Sequence, residues 1–423
     1  MHHLSRGPAG SGAGTQAAGE AFRIIVTKLK PQPGSLGKKP RANLQSRAIS
    51  LTGLLIHLTR RSVLGWLGIL LVLSGCSAQA TSLASPTPVA LLPTASPTAT
   101  PSPTQTPTAT ATATPAPSPT PTVTPTPTTP PLPAPYTGLA IDELAARTYG
   151  QGEFRLVETM ESTPEFTRYL ISYDSDGLTV YGFMNLPPGE GPFPVVIVIH
   201  GWVPPQSYRT LTYTTRYADA LARAGYLVIH PNLRNHIPSD VDPNPALFDA
   251  GYSLDVLNLM AYVRAEGGQP GPLEQADADR LALWGHSMGG GIAIRTMVVE
   301  PRVEAVVLYG SMNADLYLNY ERINTFWSGG TDGLEELATP AEVLARLSPV
   351  NYLDRVEAPV AIHHGGADSD VPVVWSIDLC ERLTDLGKRV DCFIYEGQDH
   401  ILAGESDALF EKRVVEFLKA AFE

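Results

Sequence analysis

Uninterrupted apolar runs alternate with amphipathic stretches between residues 136 and 423. Residues 194–200 (PVVIVIH) and 280–285 (RLALWG) have almost no polar break, a pattern typical of strands buried on both faces of a sheet. Apolar positions with helical spacing follow such runs and predict amphipathic helices. Residues 166–173 and 178–185 instead alternate around an Asp-Gly pair, which predicts a β-hairpin. This order predicts an α/β fold with a mostly parallel sheet, helices on both faces and an antiparallel N-terminal hairpin.

Three segments of different composition precede this region. Residues 1–58 show no sustained periodicity, which predicts disorder or a start site assigned too far upstream. Residues 59–76 contain an arginine pair and an apolar run about half as long as the ~20 residues of a membrane-spanning helix, which is typical of an export signal. Residues 77–135 are mostly Pro, Thr, Ala and Ser without a charge, a composition that does not fold. We therefore assign the folded domain to residues 136–423.

The end of the apolar run carries a second signal. Leu-Ser-Gly-Cys at residues 73–76 resembles a bacterial lipoprotein signal, and the arginine pair resembles part of a twin-arginine export signal. The resemblance implies that Cys76 is the lipidated first residue of the mature chain. It predicts an exported, extracytoplasmic protein, lipid-anchored to the bacterial cell membrane, with residues 77–135 as a stalk. A buried apolar helix with a chance cysteine is the alternative.

Charge restricts the partners of the chain. There are 30 Lys+Arg against 42 Asp+Glu, a formal net charge of −12, and this acidic balance argues against a nucleic-acid partner. The sequence indicates no oligomeric state. Cys380 and Cys392 lie on a predicted helix and on the following predicted strand. In an exported protein they can form a disulfide, whereas as free thiols they would be small apolar residues.

Candidate chemistry is found first in the pentapeptide GHSMG at residues 285–289. It follows a predicted buried strand and opens a predicted helix, which is the setting of the G-x-S-x-G nucleophile elbow. The glycines permit a sharp turn, and free N–H groups at a helix start stabilise an anion. The alternative is a glycine-rich turn with a capping serine. We predict that Ser287 is a nucleophile.

Two partners are needed by such a serine, because its hydroxyl needs a base and the base needs an orienting carboxylate. In the α/β-hydrolase arrangement the order along the chain is Ser, acid, His. His400 is the last histidine and lies in a loop before the final predicted helix. Asp368 directly follows a predicted strand, with Asp370 and Asp399 as competing carboxylates. We predict that Asp368 orients His400.

The anion formed by attack on a carbonyl needs two hydrogen-bond donors. The N–H of Met288, the residue after the nucleophile, is one candidate. The other lies in the loop after residues 194–200, where the N–H of Trp202 is the first choice and that of Val203 the next. These donors would form an oxyanion hole.

Two histidines, His363 and His364, precede Asp368 and suggest a metal site. Adjacent residues of a strand point to opposite faces of the sheet, so both imidazoles do not reach one ion with the carboxylate. We therefore predict no metal, and we predict no cofactor.

Residues 311–347 form an insertion between two predicted strands. Loops above an active site often carry binding residues, so we interpret the insertion as a cap. Tyr317, Tyr320, Phe326 and Trp327 are candidates to line a substrate pocket. Packing inside the cap is the alternative for each of them.

With these residues placed, residues 171–401 resemble the catalytic module of the prolyl oligopeptidase family and the related dienelactone-hydrolase-like esterases. The matching stretches are DGLTVYGFMNLPPGEGPFPVVIVIHGW, ALARAGYLVIHPNLR, DADRLALWGHSMGGGIAIR, LSPVNYLDRVEAPVAIHHGGADSDVP and YEGQDH, in that order. The resemblance implies the α/β-hydrolase fold and a triad of Ser287, Asp368 and His400. GHSMGGG is also similar to cutinase-like polyester hydrolases.

Two departures from the family bear on the substrate. Its oligopeptidases usually carry a β-propeller before the module, where this chain has residues 77–135. Its peptidases often have a glycine pair where this chain has Trp202-Val203. The sequence predicts an exported serine hydrolase that cleaves a peptide or ester bond in a small-molecule or peptide acyl substrate, resembling a peptidase of this family. A carboxylesterase or polyester hydrolase, and a non-catalytic binding protein of the same fold, are the alternatives.

Overall fold

The computed structural model describes residues 24–27, 131–244 and 250–423. The predicted export signal, Cys76 and most of the predicted stalk lie outside the described residues. Within the described ranges, no helix has the length and apolar character that crossing a membrane requires. All of these residues belong to one compact unit of the chain.

Ten strands of the described region form one sheet. They are β1 (Ile24–Thr27), β2 (Phe154–Ser162), β3 (Thr167–Ser175), β4 (Leu178–Leu186), β5 (Phe193–Ile199), β6 (Leu227–Pro231), β7 (Ala276–His286), β8 (Ala305–Tyr309), β9 (Val360–Gly365) and β10 (Val390–Tyr395).

The spatial order of the strands is β1-β10-β9-β8-β7-β5-β6-β4-β3-β2. In this spatial order, each pair of neighbouring strands from β1 through β10, β9, β8, β7 and β5 to β6 is parallel. The strands β4, β3 and β2 continue the sheet in antiparallel fashion. β3 and β4 form the predicted hairpin, and the predicted fold class is confirmed. β1 and β2 are strands that the sequence analysis did not predict, and β1 lies within residues 1–58.

Helices cover both faces of this sheet. Those in the described residues are α1 (Ile141–Ala145), α2 (Thr215–Arg223), α3 (Ala250–Glu266), α4 (Met288–Val299), α5 (Leu316–Arg322), α6 (Leu334–Leu337), α7 (Ala341–Leu347), α8 (Val373–Asp385) and α9 (Glu405–Phe422).

The two faces carry separate hydrophobic cores. Residues of α3, α4 and α8 belong to the first core and those of α2 and α9 to the second. In β5, Val195, Ile197 and Ile199 contribute to the first core. Val196 and Val198, between them, contribute to the second. Successive side chains of a strand point to opposite faces, so the unbroken apolar run reflects a strand covered on both sides.

The insertion at residues 311–347 contains α5, a π-helical turn at Ile323–Trp327, α6 and α7. Leu344 and Leu347 of α7 anchor its base in the first core. By contrast, no residue from 321 to 342 is buried. The insertion therefore has an anchored base and an exposed outer part.

Candidate active site

Ser287 lies at the junction between β7 and α4. Its backbone has φ 56° and ψ −118°, and a positive φ in a residue with a Cβ is held only when the surroundings impose it. The Ser287 N–H donates to the Tyr309 carbonyl at the end of β8 over 3.0 Å. The Ser287 carbonyl accepts from the N–H groups of Gly290 (3.0 Å) and Met312 (3.1 Å). Strand, helix and loop together fix the strained turn.

The glycines around Ser287 are required by close backbone contacts. A Cβ at Gly285 would collide with the Gly289 carbonyl oxygen, and a Cβ at Gly289 would collide with that of Ile199. A Cβ at Gly290 would lie 2.5 Å from the Ser311 hydroxyl oxygen. The glycine spacing of the motif is therefore the condition under which β5, β7 and α4 pack together here.

The Ser287 side chain lines a cavity of about 440 Å³. The residue is 9% exposed, and its Oγ has no hydrogen-bond partner within the described residues. Met288 is the first residue of α4, so its N–H has no acceptor inside the helix. An unpartnered hydroxyl thus lies beside N–H groups that favour negative charge.

His400 lies in the loop between β10 and α9, and Asp368 in the loop after β9. The His400 Nδ1 atom is 2.8 Å from Asp368 Oδ2. Asp399 instead accepts hydrogen bonds from the N–H groups of His400 (2.8 Å) and Ser369 (2.9 Å). Asp370 lines the cavity. Of the three carboxylates, the structure therefore brings Asp368 to the imidazole of His400.

The Asp368 side chain is fully buried and engages four donors. Its Oδ1 accepts from the N–H groups of Asp370 (2.9 Å) and Val371 (2.8 Å). Burial alone would raise the pKa of Asp368, but hydrogen bonds from His364 and His400 hold it well below its usual range. Because an ionised carboxylate only accepts, Nδ1 of His400 donates to Asp368 and Nε2 is the ring nitrogen left for proton exchange.

The sequence analysis considered His364 only as a metal ligand and missed its contact with Asp368. Its Nε2 atom is 3.0 Å from Asp368 Oδ2, and its Nδ1 atom is 2.6 Å from Ser376 Oγ in α8. His363 lies on the other face, with Nδ1 3.0 Å from the Tyr395 hydroxyl, so the two imidazoles do not converge on one ion. A histidine four positions before a strand-end aspartate is the signal that could have indicated the contact.

A chain of hydrogen bonds joins the loop after β5 to the loop that carries His400. The Gly201 N–H donates to the Tyr213 hydroxyl (2.9 Å), which lies 2.8 Å from His286 Nδ1. His286 Nε2 lies 3.3 Å from the His400 carbonyl. Burial and nearby His400 lower the pKa of His286 to about 3. The ring is therefore neutral, with Nε2 donating to the carbonyl and Nδ1 accepting from Tyr213.

The loop after β5 passes directly beside Ser287. A Cβ at Gly201 would lie 3.0 Å from the Ser287 Cβ, so the glycine permits this approach. Buried His200 anchors the loop, with its ring nitrogens 2.7 Å from the Gly201 carbonyl and 2.9 Å from the Asn232 carbonyl. The next residue, Trp202, lines the cavity and is 47% exposed. The predicted second donor thus lies in the loop that contacts Ser287.

The aromatic residues predicted for the pocket have different positions. Trp327 lines the cavity. Tyr320 is 2% exposed and belongs to the first core, because α5 turns it inward. Tyr317 is 46% and Phe326 52% exposed, and neither lines the cavity. The prediction for Tyr317, Tyr320 and Phe326 is therefore corrected.

The cavity wall also contains residues that the sequence analysis did not select. Four of them belong to the insertion and the last follows His400: Met312, Ile323, Ser328, Asp332 and Ile401.

Arg322 links the insertion to the loop that carries Asp368. Its Nη2 atom donates to the carbonyls of Ser369 (2.9 Å) and Asp370 (2.9 Å). The Phe326 ring lies over the guanidinium, with 3.6 Å between Cζ and the ring centroid. The Arg322 side chain therefore connects the insertion, which forms one wall of the cavity, to the main chain of the loop that carries Asp368 (the acid loop).

A disulfide joins Cys380 in α8 to Cys392 in β10. Both residues are buried in the first core. The bond fastens to the sheet the helix that also carries Ser376, the partner of His364.

Two family models match the chain. The model described as alpha/beta hydrolase fold matches residues 194–339. The model of the Prolyl oligopeptidase family matches residues 271–423. Ser287 lies in both ranges, and Asp368 and His400 lie in the second.

Relatives of the chain include peptidases and esterases. An uncharacterized peptidase, YtmA, of Bacillus subtilis (strain 168) is 23% identical over 258 residues, which cover 59% of this chain and 93% of the relative. The esterase FrsA of Escherichia coli O157:H7 is 24% identical over 178 residues, 42% of this chain and 39% of the esterase. The chain thus spans less than half of the esterase.

Among solved structures, the acylaminoacyl peptidase of Pyrococcus horikoshii is similar, with a TM-score of 0.50 and 21% identity. The match covers 63% of this chain and 42% of that one. This likeness concerns the fold alone. Together, the family models and the sheet confirm the predicted resemblance: an α/β-hydrolase fold related to the prolyl oligopeptidase family, with peptidase and esterase relatives.

Proposed function

We propose that this α/β-hydrolase-fold protein is a serine hydrolase, with Ser287 as nucleophile, His400 as general base and acid, and Asp368 as orienting carboxylate. One observation carries the proposal. The Asp368–His400 contact of 2.8 Å lies beside a cavity that both His400 and the unpartnered Ser287 hydroxyl line. The order of the three residues along the chain is that of α/β-hydrolases.

In the proposed reaction, Ser287 Oγ attacks a carbonyl carbon while His400 Nε2 takes the hydroxyl proton. The tetrahedral anion collapses as His400 gives this proton to the leaving amine or alcohol, and the acyl group stays on Ser287. His400 then takes a proton from water, the resulting attack releases the acid, and Ser287 regains its proton. Asp368 stays ionised and stabilises the imidazolium.

The oxyanion is assigned to two main-chain donors. The Met288 N–H lies at the start of α4, where the helix favours negative charge. The Trp202 N–H belongs to the loop that packs against Ser287. Of the two candidates in that loop, Trp202 is supported over Val203 because it lines the cavity.

The scissile bond is a peptide or an ester bond in a small acyl substrate. The match to the Prolyl oligopeptidase family supports a peptidase. The similarity to esterase FrsA supports a carboxylesterase as the second candidate. Parallel assays on aminoacyl anilides and on short acyl esters separate the two, because the peptidase hydrolyses both and the esterase only the esters.

We also propose export and a lipid anchor on Cys76. The disulfide between Cys380 and Cys392 supports an oxidising compartment, because such bonds are rare in a reducing cytosol. Replacing Cys76→Ser should move the protein from the membrane fraction to the soluble fraction. Unchanged fractionation would contradict the anchor.

A fluorophosphonate probe tests the nucleophile directly, because it forms a covalent bond with an activated serine. The wild-type protein should be labelled and the Ser287→Ala variant should not. Ser328→Ala is the matched control, since Ser328 lines the same cavity without belonging to the proposed triad. Labelling that survives in Ser287→Ala would overturn the assignment. A folded protein inert to the probe and to every ester would support a non-catalytic binding protein.

A further inference from the structure

We propose that the cavity beside Ser287 selects substrates whose acyl group ends in a cation, such as an ammonium or a guanidinium. The inference rests on the proposed function, since it names the substrate class of the same site. It is carried by two carboxylates and two tryptophans in the cavity wall: Asp332, Asp370, Trp202 and Trp327.

The two carboxylates come from different parts of the chain. Asp332 belongs to the insertion and Asp370 to the loop after β9. Neither carboxylate has a hydrogen-bond or ion-pair partner in the described ranges. The main chain of Asp332 is fixed, since its carbonyl accepts from Asn324 Nδ2 (2.8 Å) and its N–H donates to Ser328 Oγ (3.0 Å). Unpaired carboxylates from two segments in one cavity wall attract a cation and repel an anion.

A separate observation, the unpartnered hydroxyl of Ser287, points to a ligand in this cavity. The Ser287 hydroxyl lines the same cavity, in a residue that is only 9% exposed, and lacks a partner. The reacting carbonyl must bind at this oxygen. The acidic wall therefore faces the substrate itself.

The other surfaces of the wall suit a chain that ends in a cation. Trp202 is 47% exposed, and indole faces attract cations. The Trp327 ring is 37% exposed and already has the Arg322 guanidinium 6.0 Å from its centroid. Met312, Ile323 and Ile401 add apolar surface, against which methylene groups between the carbonyl and the charge can pack. The predicted acyl group is a flexible aliphatic chain with a terminal cation.

Other charged groups near the cavity are already engaged. Arg322 donates to the main-chain carbonyls of Ser369 and Asp370 rather than to a carboxylate. Asp399 accepts from the main chain of Ser369 and His400, and Asp368 is buried against imidazoles. The lining residues include no lysine or arginine in the described part of the chain. The guanidinium of Arg322, beside the wall at Trp327, keeps its positive charge. The two lining carboxylates outnumber this one cation, so the net charge around the cavity is negative.

Three p-nitrophenyl esters of equal chain length test the proposal: the hexanoate, the 6-aminohexanoate and the hydrogen adipate. They differ at the far end of the acyl chain, which is neutral, cationic or anionic. The wild-type protein should hydrolyse them with kcat/KM in the order cationic, neutral, anionic. Each carboxylate should raise the ratio of kcat/KM for the cationic ester to that for the neutral ester roughly fivefold. Added salt should reduce this ratio.

The variants Asp332→Asn, Asp370→Asn and their combination keep shape and remove charge. The ratio of kcat/KM for the aminohexanoate to that for the hexanoate should fall stepwise and reach its lowest value in the double variant. Comparing the ratio between variants cancels the intrinsic reactivity of each ester. Asp391→Asn on β10 is the control: its side chain is exposed at the start of that strand, away from the cavity, and the ratio should not change.

Two results would overturn the proposal. One is a wild-type protein that hydrolyses the aminohexanoate no faster than the hexanoate. The other is a preference that persists in the double variant. Failure of the proposed function looks different, because then no ester is hydrolysed and the fluorophosphonate probe does not react.

Discussion

The acid–base side of the cavity and its cap side are built in opposite ways. Asp368 is fully buried and engages four donors, and the main chain of Ser287 is held from β8 and α4. On the cap side, residues 321–342 include no buried side chain. There, Arg322 provides the link to the acid loop. The first region is fixed by the sheet, and the second rests on it through few contacts.

The difference separates two kinds of property. Positions held by the sheet determine whether the proposed chemistry occurs, because proton transfer requires exact mutual geometry. We expect positions on the exposed insertion to determine which acyl group fits. Substitutions on the first side should therefore change kcat, and those on the second side should change KM and selectivity.

The largest effect is expected from Asp368→Asn. The amide retains the shape but favours the wrong tautomer of His400, so kcat should fall by roughly 10³- to 10⁴-fold with little change in KM. Steady-state kinetics on a short acyl ester measure this, with Asp391→Asn as the control. A variant that retains more than about a tenth of the activity would contradict a triad role.

Acid should weaken the sheet side before the cap. Burial lowers the pKa of His200 to about 4 and those of His230, His286 and His363 to about 3. Histidines of the unfolded chain bind protons near pH 6.5. The contribution of each buried neutral ring to the free energy of unfolding is therefore complete above that pH, and it is lost as pH falls toward the pKa values of the folded protein. Between pH 7 and 5.5 the free energy of unfolding should drop by on the order of 1 kcal/mol per histidine.

Urea unfolding at the two pH values measures this drop. His363→Phe should reduce it, because one of the four titrating rings is removed. The insertion at residues 311–347 contains no histidine, so it contributes nothing to the effect. Equal stability at pH 7 and 5.5 would show that these rings are not held neutral by the fold.

A smaller effect is expected from Tyr213→Phe, which interrupts the hydrogen-bond chain between the Gly201 loop and His400. The variant loses both hydrogen bonds of this hydroxyl, to Gly201 and to His286. A rise of about 1.4 kcal/mol in the activation barrier should lower kcat about tenfold without changing KM. Tyr317→Phe is the matched control, because that hydroxyl lies on a 46% exposed residue outside the cavity. An unchanged kcat in Tyr213→Phe would show that the chain does not position the reacting groups.

The smallest effect on the chemistry is expected on the cap side. Trp327→Ala removes cavity wall and should raise KM by roughly three- to tenfold through lost apolar contact, with kcat nearly unchanged. Leu334→Ala, a substitution on exposed α6, is the control. A fall in kcat as large as that of Tyr213→Phe would remove the distinction between the two sides.

The strands and the elbow could be predicted because their signals are local. The run of β5 is apolar at every position since both faces are covered. The glycines beside Ser287 are close in sequence and follow a known spacing, although Gly289 and Gly290 are required by contacts with Ile199 and Ser311. By contrast, β2 is largely exposed along its length, so it lacks the alternation that identified its neighbours. The pairing of β1 with β10 joins residues from opposite ends of the chain and has no local signature.

The rest of the site depends on contacts between distant segments. Tyr213 and His286 are 73 positions apart, and nothing near either residue in the sequence indicates the other. In the cap, aromatic character alone did not show that α5 turns Tyr320 into the core and leaves Phe326 over Arg322. Asp332 and Asp370 were not selected as wall residues, because a single carboxylate in a loop is usually a solvated charge.

The link made by Arg322 has a consequence for how this protein can change. The guanidinium binds the backbone of Ser369 and Asp370, which any residue provides, and not their side chains. The side chain at position 370 is therefore free to vary in charge and size without detaching the cap or moving Asp368. Substrate preference and catalytic competence can in this way evolve separately, although their residues are two positions apart.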